Sequence, residues 1–165
     1  KNISNILKIK SPFIQKAIYE SCKIKKNVVE KDERENNIRK ILNFGHTFAH
    51  AYEATLGYSK KLNHGEAVLL GIKSALQFSY INKFLKEKDF NLLIKHIKKS
   101  KLPFNLNDYF SRNHINKILF FMSKDKKNRS EKINLILLKK IGLPIIDEVY
   151  HKNSLKKFLK KELTN

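Results

Sequence analysis

The sequence contains few of the residues that mark several specialised classes of protein. Its 165 residues include one Cys, five Gly, three Pro and no Trp. A single Cys, Cys22, cannot form an internal disulfide, which fits a reducing compartment such as the cytoplasm. So little Gly and Pro excludes collagen-like and low-complexity chains. No apolar run approaches the roughly 18 residues that span a bilayer, so we expect a soluble, cytoplasmic protein with no membrane partner.

Acidic residues are also scarce, since 15 Asp and Glu stand against 35 Lys and Arg, for a net charge of +20. Such a charge suggests a nucleic-acid partner, because basic side chains neutralise phosphates. Only four of the basic residues are Arg, however, and the Lys residues are spread along the chain together with 19 Ile and 17 Asn. Base recognition and bidentate phosphate binding favour Arg. We therefore expect no specific nucleic-acid partner, and a basic nucleic-acid-binding module is the alternative from another class.

The length and the 41% hydrophobic content are sufficient for one buried core. Apolar residues recur at helical spacing in most of the chain. The helices predicted in this way cover about 11–29, 38–56, 65–84, 89–102, 113–122 and 154–163. Two apolar segments, 133–138 and 144–150, are separated by a turn at Gly142 and could be short strands or buried extended segments. The predicted class is mainly α, with a few short extended segments near 133–149.

The ends of the sequence indicate a fragment. The chain begins at Lys1, and its only Met is Met122. Its first ten residues also lack the uninterrupted apolar stretch of a signal peptide. We therefore expect that this sequence is part of a longer chain, with further residues before residue 1.

Three of the six His residues lie within 19 positions, at 46, 50 and 64. His46 and His50 are four residues apart on a predicted helix, so their rings project to the same side. His64 lies just before the next helix and could point back towards them. Neutral imidazoles are ligands of zinc-type metals, but such His pairs also occur on helices that bind no metal. The pattern is not H-E-x-x-H, so a metalloprotease interpretation lacks its general base.

Arg39 and Asn43 lie two turns and one turn upstream of this His pair. Arg39 is one of only four Arg residues, and a guanidinium can bind an oxyanion through two parallel hydrogen bonds. A metal site beside an anion-binding group is typical of enzymes that act on polar, phosphorylated substrates.

These residues fall within a run that resembles a known family. The run, KKNVVEKDERENNIRKILNFGHTFAHAYEATLGYSKKLNHGEAVLLGI, covers residues 25–72. It is similar to the signature region of 3-dehydroquinate synthase, an enzyme of the shikimate pathway. The family pattern has a Lys before VV, then DE-x-E, an Arg, LNFGHTFGHAIE and HGEAV-x-x-G. Weaker similarity extends from about 14 to 150 and includes MSKDKKN at 122–128.

The resemblance implies a fold and an activity. Members of the family have an N-terminal α/β domain that binds NAD and a mainly helical C-terminal domain that carries most metal- and substrate-binding groups. Residues 1–165 resemble the second domain alone. Members convert 3-deoxy-D-arabino-heptulosonate 7-phosphate to 3-dehydroquinate and phosphate, with catalytic NAD and a Zn²⁺ or Co²⁺ ion. The implied partners are the sugar phosphate, the enzyme's own N-terminal NAD domain and a second subunit in a homodimer.

The resemblance also implies roles for individual residues. His46 and His64 would be two metal ligands, and the third, a Glu in an A-E-x-x-K motif, would precede Lys1. His50 would handle a proton or contact phosphate, and Glu35 would accept a proton. The implied substrate-binding residues are Lys25, Arg39, Asn43 and either Lys126 or Lys127, of which we prefer Lys126.

Other members of the motif are interpreted as structural. Glu53 and Glu66 would orient metal ligands through hydrogen bonds. Asn36 and Asn37 stand where the family has Gly, and both tolerate a left-handed backbone. The remaining three His residues, at 96, 114 and 151, are expected on the surface. A related sugar-phosphate cyclase or a metal-dependent alcohol dehydrogenase is the alternative within the same fold.

Overall fold

The computed structural model describes residues 2–124 and 132–163, which are mainly helical, as the apolar spacing predicts. The α-helices of these residues are α1 (Ile3–Leu7), α2 (Phe13–Lys31), α3 (His46–Thr55), α4 (His64–Ile81), α5 (Glu87–Lys99), α6 (Ile115–Lys124) and α7 (Lys152–Glu162). Short 3₁₀ helices lie at Ile38–Asn43, Leu106–Asp108 and Arg112–His114. The strands are β1 (Lys132–Lys140) and β2 (Leu143–His151).

The helix predicted over 38–56 is interrupted, and the prediction of one continuous helix is therefore wrong. A 3₁₀ helix over Ile38–Asn43 ends before Gly45, whose φ of +82° breaks the helical path, and α3 then begins at His46. The cause is a close approach to α4. A Cβ atom on Gly45 would lie 2.5 Å from the backbone N of Ile72, and one on Gly71 would lie 2.2 Å from the backbone O of Gly45. Two glycines thus allow the start of α3 to cross α4 backbone to backbone.

The start of α4 is fixed by a hydrogen bond in its first turn. The carboxylate of Glu66 accepts a hydrogen bond of 2.9 Å from the backbone N–H of Asn63, which satisfies a donor that the helix itself leaves unpaired. Helix α4 therefore begins at His64, one residue before the predicted start, and ends at Ile81 rather than at Phe84. Helix α3 ends at Thr55, one residue before the predicted end at Leu56, and is followed by Gly57, which has a φ of +67°.

The main core lies between α3, α4, α6, α7 and the inner face of β1. Aromatic rings form its centre, with Phe48 packed against Phe158 and Phe158 against Phe78 at centroid distances of 5.9 and 5.1 Å. Tyr52 is fully buried, and its hydroxyl lies 2.8 Å from that of Ser74 on α4. Burial raises the pKa of Tyr52, so this hydroxyl stays protonated. In residues 2–124 and 132–163, no helix has the length and apolar character needed to cross a membrane.

The two predicted extended segments are confirmed as an antiparallel hairpin. Its turn contains Gly142, which has a φ of +80°. Ile133, Leu135 and Leu137 alternate into the core. The backbone N–H of Leu138 donates a 3.0 Å hydrogen bond to the hydroxyl of Ser79 on α4, so the hairpin is attached to the helix that begins at His64.

Candidate functional site

Three imidazole rings cluster where the start of α4 meets α3. His46 and His50, one turn apart on α3, have ring centroids 5.5 Å apart. The ring of His64, the first residue of α4, lies 6.0 Å from that of His46 and 6.2 Å from that of His50. The structure thus brings together the three His residues that the sequence singles out.

The rings of His46 and His64 are oriented by hydrogen-bond acceptors. The Nδ1 atom of His64 lies 2.9 Å from Oε2 of Glu53, and that of His46 lies 3.4 Å from the carbonyl oxygen of Phe44. Because a carboxylate and a carbonyl oxygen only accept, these contacts require a hydrogen on Nδ1 of each ring, which in the neutral tautomer leaves the lone pair on Nε2. Metal-binding His residues are commonly oriented in this way.

The surroundings of His46 favour its neutral form. Partial burial is the main cause that lowers the pKa of His46 below its usual 6.5, and the nearby rings of His50 and His64 add to this. The hydrogen bond to the carbonyl oxygen of Phe44 and the charge of Glu53 raise the pKa of His46. A neutral imidazole is the form that binds a metal ion.

The donor set fits two ligands of a metal ion rather than a complete site. Over the ranges that the structure describes, no three His, Cys, Asp or Glu side chains are arranged to hold a metal ion by themselves. Two imidazoles that share a zinc ion at about 2.0–2.1 Å have centroids roughly 5 Å apart. The centroids of His46 and His64 are 6.0 Å apart, about 1 Å more than in that geometry. A third ligand from another segment would complete the site, as the resemblance implies.

A cavity of about 480 Å³ lies beside His46, between α2 and the 3₁₀ helix Ile38–Asn43. This volume is in the range of small-molecule sites. The residues that line it are Ser21, Ile24, Lys25, Glu35, Arg39, Leu42, Asn43 and His46. Four predicted substrate or proton-transfer residues therefore share one cavity with a predicted metal ligand.

Hydrogen bonds inside the cavity fix some of these side chains. The amide of Asn43 donates a 2.7 Å hydrogen bond to Oε1 of Glu35. The guanidinium of Arg39 donates through Nη1 to the carbonyl oxygen of Glu33. Glu35 has a φ of +57° and is the left-handed residue of this loop, whereas Asn36 and Asn37, which tolerate that conformation, do not adopt it.

The sequence reasoning missed Asp32, which organises the loop before Arg39. Its carboxylate accepts backbone hydrogen bonds from Asn36, Asn37 and Arg39, at 3.0, 2.7 and 3.0 Å. The bond from Arg39 is the largest cause that lowers the pKa of Asp32. Asp32 thereby caps the 3₁₀ helix that carries Arg39 and Asn43. An Asp before a turn-prone Asn pair is the signal that could have revealed it.

The other predicted residues have simpler positions. His50 is exposed, and its ring stacks on that of His64 at an interplanar angle of 20°. His96 and His151 are exposed, as expected, while His114 is partly buried. Lys126 and Lys127 lie outside the described residues.

The sequence matches the family described as 3-dehydroquinate synthase C-terminal over residues 1–128. The chain belongs to the 3-dehydroquinate synthase C-terminal family. The resemblance drawn from the motifs at 25–72 is thus confirmed.

Curated relatives carry the same family name. The chain is 57% identical to the 3-dehydroquinate synthase of Pelagibacter ubique over 164 residues, which are 99% of this chain and 45% of that protein. It is 37% identical to the 3-dehydroquinate synthase of Thermoanaerobacter pseudethanolicus over 155 residues, which are 94% of this chain and 42% of that protein. The chain therefore spans less than half the length of these relatives.

A solved structure supports the fold of the 3-dehydroquinate synthase C-terminal family. The chain resembles the crystal structure of 2-deoxy-scyllo-inosose synthase complexed with carbaglucose-6-phosphate, NAD+ and Co2+, with a TM-score of 0.67 and 22% sequence identity. The match covers 83% of this chain and 38% of that one. The mainly helical class predicted from the sequence is thus confirmed.

Proposed function

We propose that this chain is the metal- and substrate-binding part of a 3-dehydroquinate synthase. The reaction is the conversion of 3-deoxy-D-arabino-heptulosonate 7-phosphate to 3-dehydroquinate and phosphate. The observation that carries the proposal is the cavity in which Lys25, Glu35, Arg39 and Asn43 lie beside His46. The identity of 57% to a relative with this name supports the choice of reaction.

His46 and His64 would hold a divalent ion, Zn²⁺ or Co²⁺, through their Nε2 atoms. The acceptors at Nδ1 of both rings support this role, and so does the lowered pKa of His46. When bound, such an ion polarises a substrate hydroxyl and lowers its pKa, which favours oxidation of that carbon by NAD. The related 2-deoxy-scyllo-inosose synthase was crystallised in complex with NAD+ and Co2+, which supports this pair of cofactors.

Arg39 and Lys25 would bind the acidic groups of the substrate. The substrate carries a phosphate and a carboxylate, and a guanidinium binds either one through two parallel hydrogen bonds. Lys25 is exposed on α2, on the opposite wall of the cavity from the 3₁₀ helix that carries Arg39. Lys126 would add a further phosphate or carboxylate contact. These cations would hold the substrate with its reacting carbons near the imidazole cluster, and positioning of this kind lowers the barrier substantially.

Glu35 and His50 would move protons. The amide of Asn43 donates to Oε1 of Glu35 and so orients the carboxylate, which would accept a proton from substrate. His50, whose ring is 5.5 Å from that of His46, would exchange a proton with substrate or contact its phosphate. A phosphate leaving group can itself take a proton, so the protein needs few bases.

The remaining parts of the reaction would come from outside this chain. An N-terminal domain would bind NAD, a Glu from that part would complete the metal site, and two such proteins would form a homodimer in the cytoplasm. We therefore expect residues 1–165 alone to turn over no substrate. Formation of dehydroquinate by this chain with added NAD would contradict that expectation.

The test uses the full-length protein that contains this chain, with NAD and Zn²⁺ or Co²⁺. Each candidate heptose phosphate is offered in turn, and release of phosphate is followed. The proposal predicts turnover of 3-deoxy-D-arabino-heptulosonate 7-phosphate and its loss in His46→Ala. Turnover of sedoheptulose 7-phosphate alone would overturn the proposed substrate and identify a related cyclase. Steeply salt-dependent nucleic-acid binding that survives His46→Ala, with no turnover, would favour the basic binding module.

A further inference from the structure

The hairpin contains a β-bulge at Asp147. Leu135 pairs with Glu148 and Leu137 pairs with Ile145, so two residues of β2, Ile146 and Asp147, lie opposite one residue of β1. Asp147 has a φ of +63°, a left-handed conformation that Asp tolerates better than most residues. A bulge turns a side chain away from the regular alternation of the strand. In this hairpin, the side chain that it redirects is a carboxylate.

The redirected carboxylate binds Lys40 on the 3₁₀ helix whose Arg39 and Asn43 line the cavity. Both oxygens of Asp147 lie within hydrogen-bond distance of Nζ of Lys40, at 2.9 and 2.8 Å. Asn134 on β1 donates a further hydrogen bond of 3.3 Å to Oδ1 of Asp147, which fixes the carboxylate from the hairpin side. The side chain of Lys40 is 22% exposed and that of Asp147 is 51% exposed. The ion pair thus joins two segments that are 107 residues apart in sequence.

Lys40 belongs to the 3₁₀ helix Ile38–Asn43, in which Arg39 precedes it and Asn43 follows one turn later. Helices of this kind are short and have poor hydrogen-bond geometry, so their position depends on contacts to other elements. Asp32 holds the start of this helix. Asp147, on strand β2, contacts the middle of the same helix through Lys40.

The same hairpin also contacts the element that carries the imidazoles. The hydroxyl of Thr47, next to His46 on α3, donates a 3.3 Å hydrogen bond to the carbonyl oxygen of Asn134. Asn134 therefore links Asp147 to α3, while Asp147 links the hairpin to the 3₁₀ helix Ile38–Asn43. The hairpin thus contacts both the 3₁₀ helix that carries Arg39 and the helix that carries His46.

We propose that Asp147 is a positioning residue for the substrate cavity. The bulge presents its carboxylate to Lys40, and the ion pair fixes the 3₁₀ helix so that Arg39 and Asn43 face the cavity. The identity of the ligand that this arrangement serves rests on the proposed function. Because partly exposed ion pairs contribute little to global stability, the effect of Asp147 falls on the position of this helix.

The experiment compares Asp147→Asn, Lys40→Met and the double variant in the full-length protein that contains this chain. Hydrogen–deuterium exchange of the peptide at 38–44 is measured by mass spectrometry, together with KM and kcat for the heptulosonate phosphate. Each single variant is expected to speed exchange in this peptide and to raise KM about threefold to tenfold, with kcat little changed. The double variant is expected to be no worse than either single variant, because both remove the same contact.

Two further variants separate positioning from general damage. Asp147→Gly removes the carboxylate but suits the positive φ, so it is expected to have the same effect as Asp147→Asn. The control ion pair is Lys26 with Glu30, which is exposed on α2 with a separation of 3.6 Å. Lys26→Met and Glu30→Gln are expected to leave KM and the exchange at 38–44 unchanged.

Unchanged exchange at 38–44 in both Asp147→Asn and Asp147→Gly would overturn the inference, as would additive effects in the double variant. If the wild-type protein turns over no heptose phosphate, the proposed function fails, while the exchange measurement still decides the inference. Faster exchange confined to 38–44 would then support it, and unchanged exchange would overturn it.

Discussion

The Nδ1 atom of His64 at the start of α4 lies 2.9 Å from Oε2 of Glu53 on α3. Glu53 follows His46 and His50 on the same face of α3, so one helix face carries two imidazoles and the carboxylate that orients the third. The carboxylate is well packed, with 13% of its side chain exposed, whereas the His64 side chain is 61% exposed. The more buried partner thus orients the more exposed one.

Glu53→Ala is expected to weaken binding of Zn²⁺ or Co²⁺ about 10- to 100-fold, because His64 loses the acceptor that fixes its tautomer and ring orientation. Metal affinity is measured in the full-length protein by competition with a chelator. Glu30→Ala, an exposed change on α2, is the control and should leave the affinity unchanged. An affinity equal to that of the wild type in Glu53→Ala would contradict this role.

Gly71→Ala is expected to destabilise the fold by about 1–3 kcal/mol or more, because the added Cβ would lie 2.2 Å from the backbone O of Gly45. Chemical denaturation measures the change. Gly65→Ala is the matched control on the same helix, since a Cβ there would meet no atom within 4 Å. Removal of a helical Gly at that open position should stabilise by about 0.5–1 kcal/mol. Equal effects of the two substitutions would show that α3 and α4 do not cross closely.

Asp32→Asn is expected to lower the melting temperature at neutral pH but not in acid. The backbone N–H groups, that of Arg39 first, hold the pKa of Asp32 below 3.8 in the folded chain. Its contribution to stability is therefore present above about pH 3.8 and is lost as the pH falls through the lowered value. The melting temperatures of the two proteins are compared across this pH range. A difference that stays constant into acid would contradict the capping role of the carboxylate.

The sequence predicts the fold well where the signal is local. Helical spacing of apolar residues identifies α2, α4, α5, α6 and α7, and two short apolar segments beside Gly142 identify the hairpin. The break at Gly45 has no local signal, because its cause is the contact with Gly71 on another helix. A glycine inside an apolar helical pattern is usually tolerated, so the pattern alone favours a continuous helix.

In the candidate site, too, the sequence predicts the local features but not the contacts between distant segments. The spacing of His46 and His50 predicts their shared face, and the family motif supplies Lys25, Glu35, Arg39 and Asn43, which the structure brings to one cavity. The 3₁₀ helix that carries Arg39 and Asn43 is held by hydrogen bonds to Asp32 and Asp147. The pair between Lys40 and Asp147 joins segments 107 residues apart, and pairing at that distance depends on the tertiary fold.

Arg39→Lys is expected to raise KM for the heptulosonate phosphate about tenfold, although the charge is kept, because an ammonium cannot form two parallel hydrogen bonds to an oxyanion. Steady-state kinetics of the full-length enzyme measure the change. Arg34→Lys is the control, since Arg34 is exposed in the neighbouring loop and does not line the cavity. Unchanged KM in Arg39→Lys would remove Arg39 from the anion-binding role.

The central claim is that His46 and His64 bind the same metal ion. Anomalous diffraction at the cobalt edge, from crystals of the full-length protein grown with Co²⁺, tests it directly. The account predicts one anomalous peak within about 2.0–2.2 Å of Nε2 in both rings. A peak that contacts neither ring or only one of them, with the second Nε2 turned away, would contradict it.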